Sequence, residues 1–116
     1  EVKESYPELY AEWLERPQRG KMPDGEGLGD VRRRTLRVVK RIVASHEGTV
    51  ALVSHRVVNK VLTCALLGLD NSHFWNVRQD TAAVTTFTHE DGRFVLTEHN
   101  NTSFLQSLER TPSADF

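Results

Sequence analysis

Residues 49–53 (Thr-Val-Ala-Leu-Val) form a short apolar run with no polar alternation, and the polar pair Ser54-His55 ends it. Such a run fits a strand buried on both faces, as in a parallel sheet. A strand of that kind cannot stand alone, so this one feature demands further strands beside it and helices above and below. The flanking sequence supplies helices. Leu28, Val31, Thr35, Val38 or Val39, and Ile42 make one stripe over residues 28–45, and Val57, Val58, Val61, Leu62, Ala65 and Leu66 fall in helical register after His55. Helix, strand and helix in that order predict α/β architecture. With 116 residues, the chain holds one domain at most, and a hydrophobic content of 38% makes its core thin.

The remaining elements are read from spacing and punctuation. Tyr6, Leu9, Tyr10, Trp13 and Leu14 recur at helical intervals over residues 3–16, and Pro17 stops that helix. A loop rich in Gly and Pro follows, from Arg16 to Gly29. Gly68 is placed to end the helix after His55. Residues 82–88 and 93–98 are rich in Val, Thr and Phe, with Glu90-Asp91-Gly92 between them, which predicts a β-hairpin. Residues 109–116 read as a frayed tail.

Charge and composition exclude several classes. Fifteen Lys and Arg stand against 16 Asp and Glu, which gives no electrostatic case for nucleic acid or an anionic membrane. Arg32, Arg33 and Arg34 could be read as a basic patch, but three consecutive helical residues spread over about 200°. A solvated helix face is therefore expected. The lone Cys64 cannot form an internal disulfide, and it falls on an apolar helix face as a core thiol. No apolar run approaches the roughly 20 residues of a membrane span. A cytoplasmic protein without membrane or nucleic-acid partners is expected. His46, His73, His89 and His99 show no metal-ligand spacing, so neither metal nor cofactor is anticipated.

Two residues stand out for chemistry. His55 lies between a strand end and a helix start, the edge at which open α/β sheets bind ligands and where helix N–H groups favour phosphate. A residue that merely finishes the strand is the competing reading. Glu26, in Pro23-Asp24-Gly25-Glu26-Gly27, precedes a helix; it can be a positioned general acid or a surface carboxylate favoured by the helix dipole.

Taken together, four segments resemble the histidine phosphatase superfamily, the phosphoglycerate mutase-like fold, in its branch 1. Tyr6-Pro7-Glu8-Leu9-Tyr10 followed by Trp13 resembles the insert before the family's acid loop. Pro23-Asp24-Gly25-Glu26 with Leu28 and Asp30-Val31 resembles its P-x-G-E-S-L-x-D-V segment. Val50-Ala51-Leu52-Val53-Ser54-His55 is similar to the strand entering its second histidine, and Asn100-Asn101-Thr102-Ser103-Phe104-Leu105 to its terminal N-D-T-x-H-L segment. The resemblance implies a three-layer α/β/α fold, of which residues 1–108 are the C-terminal half in the order helix, helix, strand, helix, hairpin. It also implies a phosphomonoesterase acting through a phosphohistidine on a small phosphorylated metabolite. Glu26 then falls on the catalytic acid and His55 on the phosphoryl-contacting histidine. Arg56 stands where many members have Gly, as an added phosphate donor or as an outward-pointing residue.

Gly27 replaces a usual Ser, and Phe104 a usual tail His. No Arg-His-Gly triplet, the family's nucleophile motif, occurs in the 116 residues. The chain alone is therefore expected to be inactive, and to need the N-terminal half of the domain, a partner chain or a second copy of itself. The alternative is a non-catalytic fragment or degenerate member that binds phosphate or a partner. A mutase and nucleic-acid binding rank below both.

Overall fold

The computed structural model describes residues 11, 14–17 and 27–105. Helix α1 spans Leu28–Ser45 and helix α2 spans Arg56–Leu66. A 3-10 helix follows at Asn71–Asn76, then strands β1 (Val84–Glu90) and β2 (Arg93–Asn101), and a final 3-10 turn at Ser103–Leu105.

Helix α1 has the predicted bounds. Its buried residues are Leu28, Val31, Thr35 and Val39, spaced three, four and four apart. That spacing selects Val39 over its neighbour Val38, which is exposed. The buried Thr35 hydroxyl donates to the Val31 carbonyl at 2.9 Å, so no polar group is stranded in the stripe. At the N-terminus, Gly27 has no side chain with which to cap. Instead the Asp30 carboxylate accepts from the Gly27 N–H at 2.9 Å, one half of a capping box.

Helix α2 ends as the sequence predicts. Gly68 takes φ +77°, the Leu69 N–H donates to the Cys64 carbonyl at 2.8 Å, and the Gly68 N–H donates to the Ala65 carbonyl at 3.1 Å. These bonds form a Schellman closure, which needs a residue tolerant of positive φ at this position. The core lies where the two helices meet the 3-10 helix: Leu28, Val31, Val61 and Phe74 are buried together, with Val57, Val58 and Trp75 packed against them. Arg32 Nη1 donates to the Leu69 carbonyl at 2.6 Å and ties α1 to the end of α2.

The hairpin is antiparallel, with Glu90 opposite Arg93 and Thr88 opposite Val95. Asp91 and Gly92 both have positive φ (49° and 78°), as a two-residue type I′ turn requires. Two irregularities follow along β2, because Phe87 pairs with Leu96, Thr86 with Glu98 and Val84 with Asn101. Each adds one residue to β2, and such bulges bend a strand and re-aim its side chains.

The structure differs from expectation at residues 49–53, which belong to no ladder. The sheet among the described residues contains β1 and β2 only. A doubly buried strand exists only when neighbours take up its N–H and C=O groups. Without them the run lies open: Val50 is 43%, Leu52 49% and Val53 95% exposed. The helix expected at 3–16 lies largely outside the described residues, although residues 11, 14 and 15 are helical. Residues 18–26 of the Gly- and Pro-rich loop, Glu26 among them, and the tail also lie outside them.

Candidate functional site

His55 is the N-cap residue of α2, with extended backbone (φ −96°, ψ 160°). Its carbonyl accepts the first helical bond, from the Asn59 N–H at 2.9 Å. The first N–H groups of any helix have no partner within the helix. A capping side chain would normally take one of them, but the His55 side chain makes no capping hydrogen bond. An exposed imidazole and the start of α2 therefore sit at one place, beside a half-buried Arg56. Backbone N–H donors, a partial positive charge and a guanidinium together suit an oxyanion.

The same core brings a second helix start to this end of the molecule. Leu28, the first residue of α1, is buried in the cluster against which Val57 and Val58 of α2 pack. In sequence Leu28 stands two residues after Glu26, and Val57 two residues after His55. Glu26 lies outside the described residues. Of the sequence-predicted site residues, the structure thus describes His55 and Arg56, which it keeps adjacent at one helix end.

The other candidates resolve into local roles. Arg33 pairs with Asp30, while Arg32 bonds Leu69, so neighbouring arginines diverge as a helix requires. Cys64 is buried, and burial pushes its thiol above the ordinary range. His99 donates from Nε2 to the Arg78 carbonyl at 2.9 Å, which leaves Nδ1 to accept from the Thr85 hydroxyl at 3.3 Å. His73 lies 3.4 Å from the Asp70 carboxylate. Ser72 donates to Asp70 from both its hydroxyl and its N–H, and these bonds hold that carboxyl below its usual value. Among the described residues, no group of three His, Cys, Asp or Glu side chains is arranged to hold a metal.

The terminal Asn-Asn-Thr segment is anchored firmly. Asn100 adopts φ +54°, its amide oxygen accepts from the Asp80 N–H at 2.9 Å, and its amide nitrogen donates to the Asp80 carboxylate at 3.0 Å. The bulged end of β2 is thereby pinned to the loop before β1.

Sequence reasoning did not single out Lys60. It lies on the buried side of α2, with its ammonium 4.2 Å from the centroid of Phe74 and 4.5 Å from that of Trp75. Its place one turn after Arg56, followed four residues on by Cys64, was a usable signal. That register places Lys60 beside the apolar face of α2 without fixing whether its ammonium lies over solvent.

Comparison with known proteins gives a consistent result. The family model described as histidine phosphatase superfamily (branch 1) matches residues 1–102. Phosphoserine phosphatase 1 of Hydrogenobacter thermophilus is 36% identical over 106 residues, covering 90% of this chain and 50% of that protein. The structure of Bacillus stearothermophilus YhfR superposes with a TM-score of 0.84 at 29% identity, covering 91% of this chain and 54% of the other. A putative alpha-ribazole-5′-P phosphatase from Escherichia coli shares the fold, with a TM-score of 0.71 at 23% identity over 86% of this chain and 50% of its own. The chain spans about half the length of each of these relatives.

Proposed function

This chain belongs to the histidine phosphatase superfamily, branch 1, and from that premise we propose that it is the C-terminal part of a phosphomonoesterase domain acting on a small phosphorylated metabolite. The observation that carries the reading is His55 at the N-cap of α2, exposed and making no capping bond, in a chain whose family acts on phosphoryl groups. The names of two relatives, a phosphoserine phosphatase and an alpha-ribazole-5′-P phosphatase, both describe small phosphomonoesters and support that substrate class.

In this reading His55, the first N–H groups of α2 and Arg56 hold the phosphoryl oxygens. Three equatorial oxygens carrying spread negative charge call for such clustered donors. Glu26 gives its proton to the leaving oxygen as the P–O bond breaks. The nucleophile is a histidine in an Arg-His-Gly segment outside these 116 residues, whose nitrogen forms a P–N bond. Water then attacks phosphorus, breaks that bond and releases phosphate, restoring the histidine. The same upstream segment supplies the strands that residues 49–53 lack.

The test is reconstitution with an upstream segment carrying Arg-His-Gly, joined to or mixed with this chain. Hydrolysis of p-nitrophenyl phosphate is expected only in the reconstituted form. His55→Ala and Glu26→Gln are each expected to lower it by about 100-fold or more. Normal turnover in the double variant would overturn the assignment. A second reading, phosphate binding without catalysis, rests on the same exposed His55 at the start of α2, which makes no capping bond. It is distinguished by a phosphate-dependent His55 chemical shift that persists where reconstitution yields no turnover.

A further inference from the structure

Helix α1 carries its charge on one side. Arg33, Arg34, Arg37, Lys40 and Arg41 are all exposed. By helical geometry they fall within an arc of about 120°, along about 12 Å of helix. That arc lies opposite the buried stripe of Leu28, Val31, Thr35 and Val39. Arg32 leaves it and bonds the Leu69 carbonyl. Asp30, the acidic residue of α1, is engaged by Arg33 and by the Gly27 N–H. Arg37, Lys40 and Arg41 make no ion pair among the described residues.

These three stand three and four residues apart, where like charges repel and weaken a helix. The helix dipole does not account for them. Its effect is confined to the last turn, and the last turn of α1 holds no basic residue. A local cost without local compensation points to a surface used for binding.

The chain itself contains a matching anionic surface. In the helix expected over residues 3–16, Glu4, Glu8, Glu12 and Glu15 fall within an arc of about 80°, along about 16 Å. Glu4, Glu8 and Glu12 lie outside the described residues. Glu15 lies within them, where it is exposed and makes no ion pair. At that end the acidic face is therefore not closed onto α1 of its own chain.

We propose that the basic face of α1 docks the Glu4–Glu15 face of a second copy of this chain, in a reciprocal two-fold contact. Each copy supplies one basic and one acidic face, so the same contact is made twice and the association closes. Single exposed ion pairs contribute little. A network of them, met twice, carries this association and makes it sensitive to salt. The proposal is independent of the phosphate-binding reading of His55.

The experiment is sedimentation of this chain at graded salt. Self-association is expected at low salt, with the dissociation constant rising about tenfold between about 0.02 M and 0.3 M NaCl. Two double variants then exchange the signs: Arg37→Glu with Arg41→Glu, and Glu8→Lys with Glu12→Lys. Each alone is expected to be monomeric, because like charges meet at both contacts. Mixed in equal amounts they are expected to pair, because both contacts are attractive again.

A mixture that stays monomeric overturns the proposal, and so does an unmodified chain that is monomeric at low salt. Association that salt leaves unchanged or strengthens also overturns it, and assigns the contact to apolar surface such as residues 49–53. Should a sign-reversed variant fail to fold, Arg37→Gln with Arg41→Gln decides. Self-association of that variant as tight as that of the unmodified chain overturns the proposal.

Discussion

Val61 and Val53 are the same residue in opposite circumstances. Val61, on α2, is 1% exposed in the core with Leu28, Val31 and Phe74, whereas Val53 is 95% exposed three residues before α2 begins. Both belong to apolar runs that are plain in the sequence. The difference lies in who closes the backbone hydrogen bonds. A helix closes them internally and needs neighbours only for its side chains, so α1, α2 and the 3-10 helix assemble a core among themselves. A central strand needs neighbours for its backbone first. Burial is thus decided by the partner, and hydrophobicity sets only the tendency to seek one.

The sharpest way to break this comparison is Phe74→Ala. It removes the ring that completes the helical core and lies against the Lys60 ammonium. The expected loss is about 3–5 kcal/mol in urea unfolding, the range for a buried aromatic. A loss below about 1 kcal/mol would mean that the core is less closed than its burial indicates. Next comes the valine pair itself. Val61→Ala is expected to cost about 2 kcal/mol, and Val53→Ala to stay within about 0.5 kcal/mol in this chain. On reconstitution with the upstream segment, Val53→Ala is expected to become costly, which a melting curve of the assembled domain would read. An equal cost at both positions in the chain alone would erase the distinction.

Gly68→Ala sharpens the account of how α2 ends. A Cβ there meets no heavy atom within 4 Å, so the strain is purely conformational. The expected cost is about 1 kcal/mol, measured as a shift in the urea midpoint. The smallest effect concerns Asp70, fully exposed and held below its usual value by Ser72. Because its folded proton affinity is depressed, it adds stability above the unfolded carboxylate value and loses it as pH falls through the folded value. Asp70→Asn is therefore expected to lower neutral stability slightly and, by that same small amount, to flatten the acid limb. A steeper acid limb in the variant would contradict the hydrogen bonding seen at Ser72.

Local chemistry made much of the chain legible. The bounds of α1 followed from a stripe at helical spacing, and Gly68 and Asp91-Gly92 ended and turned the chain where positive φ is needed. His55 was legible because a polar pair interrupts an apolar run just before a new helical period. Motif order in the same sequence carried the family, which the match over residues 1–102 shows. Less was legible at Lys60, since periodicity alone does not tell whether a cation at a helix boundary position lies over solvent or over aromatic rings. The bulges of β2 and the Asp80–Asn100 clamp were likewise hidden. They depend on pairings between residues 9 to 20 positions apart that no local pattern relates.

By itself the sequence determined what short-range forces determine: helix periods, caps, turns and the residue types offered for phosphate chemistry. Tertiary structure decided which side of α2 is buried, that an ammonium lies against Phe74 and Trp75, and that the starts of α1 and α2 share one cluster. It also decided that residues 49–53, apolar as any core strand, lie open among the described residues. The physical reason is the same in each case. Helical hydrogen bonds close within a few residues, whereas burial and strand pairing are supplied by atoms distant in the chain or in another segment.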